Sequence, residues 1–446
     1  MKAIDTTAFV QPRLLFLLTL AYRKPMKNIV LPILFLTFLA CTGPKRALVR
    51  TMDAAMASEG FEHHFTGLFI LDAQTRDTLY DLNSAKYFTP ASNTKIFTLY
   101  TALKALPNQI PALVYLEKND TLHFQGTGDP SFLHPYLKDS TGLQFLRAHQ
   151  NLVFHPHNFQ DDRFGPGWSW DDYHWYYSPE RNAFPMYGNV TMITNGEGLQ
   201  VQPVYFKDSV MGMRYPVNRN ETENVFYFDP SRKDTLEVPF KTGPATTRAL
   251  LETLLDQSVG MGTAFPEGEK KTLYGIAADS LYKRLMVESD NFIAEQLLFL
   301  AAHVWKDTLN STLARDHMLQ TYLPQLPQQP RWVDGSGLSR YNLFTPQSMV
   351  YVLDQLLEEV PKERLYALFP VGGASGTLKE WYGDGDTPYI HAKSGSLGNN
   401  YCLSGYLETA SGKTLIFSFM NNHFRIPSLD VKMRMQTLFE YLRDNY

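Results

Sequence analysis

The chain has 446 residues, 44% of them apolar and 13% aromatic, which excludes a disordered protein and predicts two or three domains. With 41 basic against 45 acidic residues, the formal charge of −4 excludes the basic excess of a general nucleic-acid binder. No HExxH, CxxC or GxxxxGK[ST] string occurs, so neither a metal nor a cofactor is expected, and His63 and His64 read as solvated surface histidines.

At the N-terminus, residues 29–40 form an apolar run of signal-peptide length, too short to span a bilayer. Met26 and Lys27 ahead of it supply a start and a positive charge, so residues 1–25 read as an extension before the true start, with a shorter apolar stretch of their own from Leu14 to Ala21. Phe38-Leu39-Ala40-Cys41 resembles a bacterial lipobox, with Phe where Leu is usual. Cys41 is therefore a candidate lipidation and membrane-anchoring site, and ordinary signal-peptidase cleavage is the other reading. Either exports the protein to the periplasm. The second cysteine, Cys402, reads as a buried strand residue, and two cysteines rule out a disulfide framework.

Residues 42–60 predict a short helix. Strands follow at 66–72 and 78–82, around a turn at 73–77. A helix opens near Ser92, with Ile96, Phe97, Tyr100, Leu103 and Leu106 at helical spacing as its buried face. Residues 113–243 change texture: they are rich in aromatics, Gly, Pro and Asp, with short alternating runs at 121–124 and 198–205. They predict a mainly β inserted domain between 42–112 and 244–446, with 1–41 as the export segment. Helical periodicity returns at 247–255 and 292–301. Strands at 389–396, 401–407 and 414–420 precede a closing helix at 429–441, so both chain ends contribute to one sheet.

Three strings in this order carry chemistry: Ser92-Asn93-Thr94-Lys95, Ser289-Asp290-Asn291 and Lys393-Ser394-Gly395. Ser92 and Lys95, at i and i+3 of a helix, share a face. A serine hydroxyl needs a base to become nucleophilic, and a lysine supplies one when burial or a nearby cation lowers its pKa. Ser289 can relay a proton to a leaving amine, and the Asn291 amide can hold Lys95 and a substrate backbone; Ser289 could equally cap the helix that follows. Lys393 and Ser394 offer a cation and a hydroxyl to a terminal carboxylate. Gly395 lets a substrate strand approach by strand addition. The N–H groups of Ser92 and Ser396 could form an oxyanion hole.

Chance matches sit beside the real ones. Ser280-Leu281-Tyr282-Lys283 repeats the first pattern nine residues before Ser289, too close to leave room for a core domain between nucleophile and shuttle. Lys241-Thr242-Gly243 repeats the third pattern before the second, and reads as a domain-boundary turn. Order and local structure select Ser92 and Lys393.

With these motifs the chain resembles the D-Ala-D-Ala carboxypeptidases/endopeptidases of the class C low-molecular-mass penicillin-binding proteins. The strings at 126–131, 167–172, 334–341 and 373–378 extend the resemblance over nearly all of the mature chain, and Asp334-Gly-Ser-Gly-Leu-Ser-Arg-Tyr341 is quite specific to the family. It implies an α/β (α+β) penicillin-binding/β-lactamase-like transpeptidase fold, an antiparallel sheet flanked by helices, with the insert between the first two motifs. The 197 residues from Ser92 to Ser289 fit that layout, and a plain β-lactamase would need far fewer. Ser394 replaces the family's usual Thr and keeps the hydroxyl. The implied activity is a serine DD-carboxypeptidase, with endopeptidase action by the same groups, on peptidoglycan stem peptides, with β-lactams as covalent inhibitors. Asp172 is matched to an acidic residue of the insert that meets the free amine of the peptidoglycan diamino acid, with Asp171 second; a structural aspartate is the other reading. A serine β-lactamase, marked by fast nitrocefin turnover, and a non-catalytic peptidoglycan-binding module, marked by wall binding without D-Ala release, are the alternatives.

Overall fold

The computed structural model describes residues 43–383 and 388–446, so the export segment, the candidate start at Met26 and the candidate lipidation site Cys41 lie outside the described residues. Its central sheet has five antiparallel strands in the order Ile390–Leu397, Asn400–Glu408, Thr414–Asn422, Phe65–Asp72, Thr78–Leu82. The last three long strands and the first two thus close one sheet from both chain ends, with Phe65 opposite Asn422 and Asp72 opposite Leu415. Strand alternation sends side chains to two different cores. Cys402, Tyr406, Ile416 and Met420 face one layer of helices. Leu403, Leu407, Leu415, Phe417 and Phe419 face another, formed with Leu48 and Met52 and with the helix Ser428–Asn445. Each large apolar side chain buried in this way contributes about 1.5–3 kcal/mol. Cys402 is buried as expected, and burial pushes its thiol up to about 12.

The first core holds the helices Thr94–Ala105, Asn291–Lys306 and Pro346–Glu359. The first of these departs from the amphipathic expectation. Every residue from Thr94 to Ala102 is buried, so the helix is central rather than one-sided. Ser92 lies just before it, in a single 3-10 turn, Ala91–Asn93. The Asn291–Lys306 helix is capped by Asp290, whose Oδ1 accepts from the Ile293 N–H at 3.0 Å; Ser289 does not serve as the cap. His63 is exposed, but His64 is half-buried and lies 3.2 Å from Asn421 Oδ1, so only one of the pair is the surface residue expected.

Between these parts lies a second five-stranded sheet, in the order Val259–Met261, Leu152–Phe154, Thr121–Gly126, Gln109–Lys118, Lys271–Ala277. It is mixed: the Leu152–Phe154 strand runs parallel to both neighbours, and the other pairs are antiparallel. A three-stranded sheet and a two-stranded ribbon adjoin it in sequence. Aromatic side chains, among them Phe124, Phe154, Phe184, Phe206 and Phe226, fill its separate core. Among the described residues, no helix is long and apolar enough to cross a membrane.

Candidate active site

Ser92 is presented on a strained turn. Ala91, just before it, has a left-handed backbone (φ 48°), a conformation that non-glycine residues adopt at a cost and that concentrates at functional sites. Two segments clamp the turn. Gly337, also left-handed at φ 84°, lies so close that an added Cβ would overlap the Ala91 carbonyl oxygen. A Cβ on Gly395 would come within 2.5 Å of Pro90 O and 2.9 Å of the Ser92 and Asn93 nitrogens. Glycine at 395 therefore sets how near the edge strand comes to Ser92. The buried Asn93 side chain fastens the two together: its Nδ2 donates to Lys393 O at 2.7 Å, and its Oδ1 accepts from Ser404 Oγ at 2.7 Å.

Lys95 is fully buried one turn beyond Ser92. Its Nζ donates to Asn291 Oδ1 and to the Ser336 carbonyl, both at 2.6 Å, and lies 3.0 Å from Ser92 Oγ. The Asn291 amide cannot be read the other way round, because its Nδ2 donates to the Tyr177 carbonyl at 2.9 Å. Burial lowers the Lys95 amine to about 8, opposed by the carboxylates of Asp334, Asp290 and Glu295. A neutral amine has two N–H groups and one lone pair. With the N–H groups of the neutral form on Asn291 and Ser336, the lone pair is left for Ser92, whereas the ammonium form donates to Ser92 Oγ. Lys393 is also fully buried and donates to Ser394 O at 2.7 Å; burial, and then the nearby Lys95, hold it well below the usual lysine range.

Ser289 stands two residues ahead of Asn291 in left-handed backbone (φ 58°), while Asp290 Oδ2 accepts from Arg284 Nε at 2.9 Å. Strand Ile390–Leu397 is an edge strand. The Ala392 N–H donates to Pro370 O and the Gly372 N–H to Ile390 O, so even-numbered residues present their backbone groups outward. The same alternation turns the N–H groups of Ser394 and Ser396 to the outer edge. Ser394 Oγ donates to Thr377 Oγ1 at 2.7 Å, and Ser396 is exposed. Asp172 is half-buried on the 3-10 turn Trp170–His174 and accepts from Tyr177 OH at 2.8 Å; Tyr177 is the residue whose carbonyl holds Asn291. Asp172 is thus joined to the site through one residue, and Asp171 is exposed.

The loop at 334–342 organises the floor. Asp334, fully buried, accepts from the N–H groups of Gly337 and Ser339, from Asn342 Nδ2 and, at 2.9 Å, from Trp168 Nε1. The motif search did not single out Asn93, Glu295, Ser336 or Arg181 as site residues. Glu295 carried a signal nonetheless: it is a carboxylate in the apolar run 292–301, four residues after Asn291 and so on its face. The two chance motif matches are explained as well. Ser280 and Lys283 lie on the outer side of the helix Ala278–Val287, whose buried residues are Ala278, Leu281, Tyr282, Leu285 and Met286. Thr242 bonds to Glu180 Oε2 in the turn before the helix Pro244–Leu255.

A sheet closed from both chain ends, a serine one turn ahead of a buried lysine, and an edge strand against that serine define the penicillin-binding, β-lactamase-like class of serine acyl-transferases. Compared with known families, residues 48–205 and 278–443 match the D-Ala-D-Ala carboxypeptidase 3 (S13) family, and the chain belongs to it. It is a serine-type D-Ala-D-Ala carboxypeptidase. A curated relative, the D-alanyl-D-alanine carboxypeptidase DacB of Haemophilus influenzae, is 26% identical over 424 residues, covering 82% of this chain and 87% of that one. The crystal structure of penicillin binding protein 4 (dacB) from the same organism superposes with a TM-score of 0.69 at 22% identity, covering 86% of this chain and 97% of that one. A second structure of that protein, complexed with a β-lactam, gives 0.64 at 20% identity over the same shares.

Proposed function

We propose that Ser92 is the nucleophile of the carboxypeptidase reaction and Lys95 its base. The observation that carries this is the Lys95 amine, buried, lowered to about 8 and held 3.0 Å from Ser92 Oγ by two acceptors that leave its lone pair for the hydroxyl proton. Ser92 Oγ bonds to the carbonyl carbon of the penultimate D-Ala as Lys95 takes its proton. The C–N bond then breaks, and the leaving D-Ala amine takes a proton relayed through Ser289. Water hydrolyses the acyl ester along the same route in reverse. The Ser92 and Ser396 N–H groups hold the oxyanion. Asn291 holds Lys95 and the substrate backbone, and Lys393, with the Ser394 hydroxyl and Gly395, receives the terminal carboxylate beside the edge strand. Cross-link cleavage uses the same groups with a longer leaving amine, and a β-lactam acylates Ser92 without a departing amine.

Asp172 faces the free amine of the diamino acid; its link through Tyr177 to Asn291 supports this reading. Residues 113–243 form the core of an inserted domain, and the pairing of strands Gln109–Lys118 and Lys271–Ala277 in its sheet supports drawing its edges outward to about 109 and 277. The chain is exported, and Cys41 carries a lipid anchor; mass spectrometry of the native N-terminus tests that reading. Digestion after reaction with penicillin tests the main one: the acyl group is expected on the peptide containing Ser92, and its appearance on another serine would overturn the assignment.

A further inference from the structure

The amine of Lys95 is held by a backbone carbonyl, and a carbonyl is only as well placed as its peptide. The Ser336 N–H donates to Glu295 Oε1 at 2.7 Å, while Ser336 O receives Lys95 at 2.6 Å. Glu295 is fully buried and reaches past the site to Arg181, also buried, whose Nη1 lies 3.0 Å from Glu295 Oε2. Arg181 Nη2 continues to Asp161 at 2.9 Å, and the guanidinium also donates to the carbonyls of Asp162 and Phe164. Asp161 in turn accepts from Ser311 N and Oγ. A chain of buried charge therefore runs from the segment at 161–181 to the lysine beside the nucleophile. Taking an Arg–Glu pair fully out of water carries a desolvation cost that offsets much of its attraction, so the pair is weak evidence for stability and its geometry invites a functional reading.

We propose that Glu295 is a positioning residue for acylation: anchored by Arg181, its carboxylate fixes the Ser336 peptide so that the Ser336 carbonyl, with Asn291, aims the Lys95 amine at Ser92. This rests on the reading of Lys95 as the base. The segment of chain that carries Asp172 is thereby tied to the base through side chains rather than through substrate alone. Three carboxylates raise Lys95 against its burial, namely Asp334, Asp290 and Glu295, and Lys95 in turn lowers the neighbouring Lys393. Glu295 itself faces Asp334, Arg181 and Arg315. Burial and Asp334 push its carboxyl up, while Arg181 and the Ser336 hydrogen bond push it back.

The test is the pH dependence of acylation by a fluorescent penicillin in Glu295→Gln, in Glu295→Gln/Arg181→Met, and in Lys95→Met. Glutamine removes one of the anions that raise Lys95 and has one acceptor oxygen where Glu295 uses two, so it cannot hold both the Ser336 N–H and Arg181. The midpoint of the rising limb is expected to fall by about half a pH unit or more. The maximal rate is expected to drop on the order of 10- to 100-fold as the amine loses its aim. The double variant removes the buried Arg181 charge together with its partner; Asp161 and the carbonyls of Asp162 and Phe164 lose a donor, so it is expected to melt below the parent yet still show the shift. If Glu295→Gln does not fold, the double variant carries the test alone. A folded variant with the parent midpoint and a rate within about two-fold would overturn the proposal, as would a rate loss that the double variant restores along with stability. If Lys95→Met still acylates with the parent profile, the base reading fails; if Lys95→Met is inactive and Glu295→Gln unshifted, only the coupling fails.

Discussion

The chain contains Ser-x-x-Lys twice, once where a turn enters a helix and once within a helix, and the two sites share almost nothing else. Lys95 is fully buried, is hydrogen-bonded to Asn291 and Ser336, and is lowered by burial to about 8. Lys283 is exposed on the outer side of its helix, with Ser280 on the same side. A lysine becomes a base at neutral pH only where its cation is poorly solvated, so the difference lies in what surrounds the four residues rather than in the four residues. At the first site, chain segments around residues 177, 291, 336 and 393 converge on one turn; at the second, the helix turns its serine and lysine away from the core.

Exchanging these sites experimentally gives a graded set of outcomes. The largest effect belongs to Ser92→Ala, which is expected to abolish covalent penicillin labelling, a loss on the order of 10⁴-fold or more in acylation rate, whereas Ser280→Ala labels as the parent does. Lys95→Met comes next, with a loss on the order of 10³-fold measured by stopped-flow acylation; Lys283→Met leaves the rate unchanged. The same contrast appears in pH. If Lys95 is the base, as proposed, the neutral amine is the active form and the parent rate is expected to rise as pH increases through about 8 and level off above it. A limb unaffected by replacing Lys95 would break the comparison. Smaller again is Gly395→Ala, which forces the edge strand off the Ser92 turn. It is expected to slow acylation on the order of 10²-fold, with a stability cost of about 1–3 kcal/mol in denaturant titration. The smallest effect is that of Asp172→Asn, expected to slow hydrolysis of stem peptides with a free diamino-acid amine while penicillin acylation keeps its parent rate.

Much of this architecture is legible in the residues. The strands at both chain ends, the helix after Ser92 and the closing helix follow from alternation and helical spacing, since a two-faced sheet must alternate its apolar residues. Reading failed where a residue's role depends on what lies across from it. The Thr94–Ala105 helix looked amphipathic, yet its polar Thr94, Lys95, Thr98 and Thr101 are buried too, because neighbouring elements supply partners such as Gly335 O for Thr98. Of the two readings of Ser289, the helix cap falls to Asp290, which leaves Ser289 in left-handed backbone beside Asn291. Asn93 and Ser336 were not singled out within their motifs, yet the Asn93 side chain ties the Ser92 turn to strand Ile390–Leu397 and the Ser336 carbonyl receives Lys95.

By itself the amino-acid sequence determined which chemistry was on offer: a serine, a lysine and an asparagine in the right order, a glycine-bearing edge strand, and a sheet shared by the two termini. Only the tertiary structure decided which serine and which lysine could use it. A lysine's basicity and a hydroxyl's aim are set by desolvation and by hydrogen bonds at about 3 Å, and those come from residues up to hundreds of positions apart that meet only when the chain is folded.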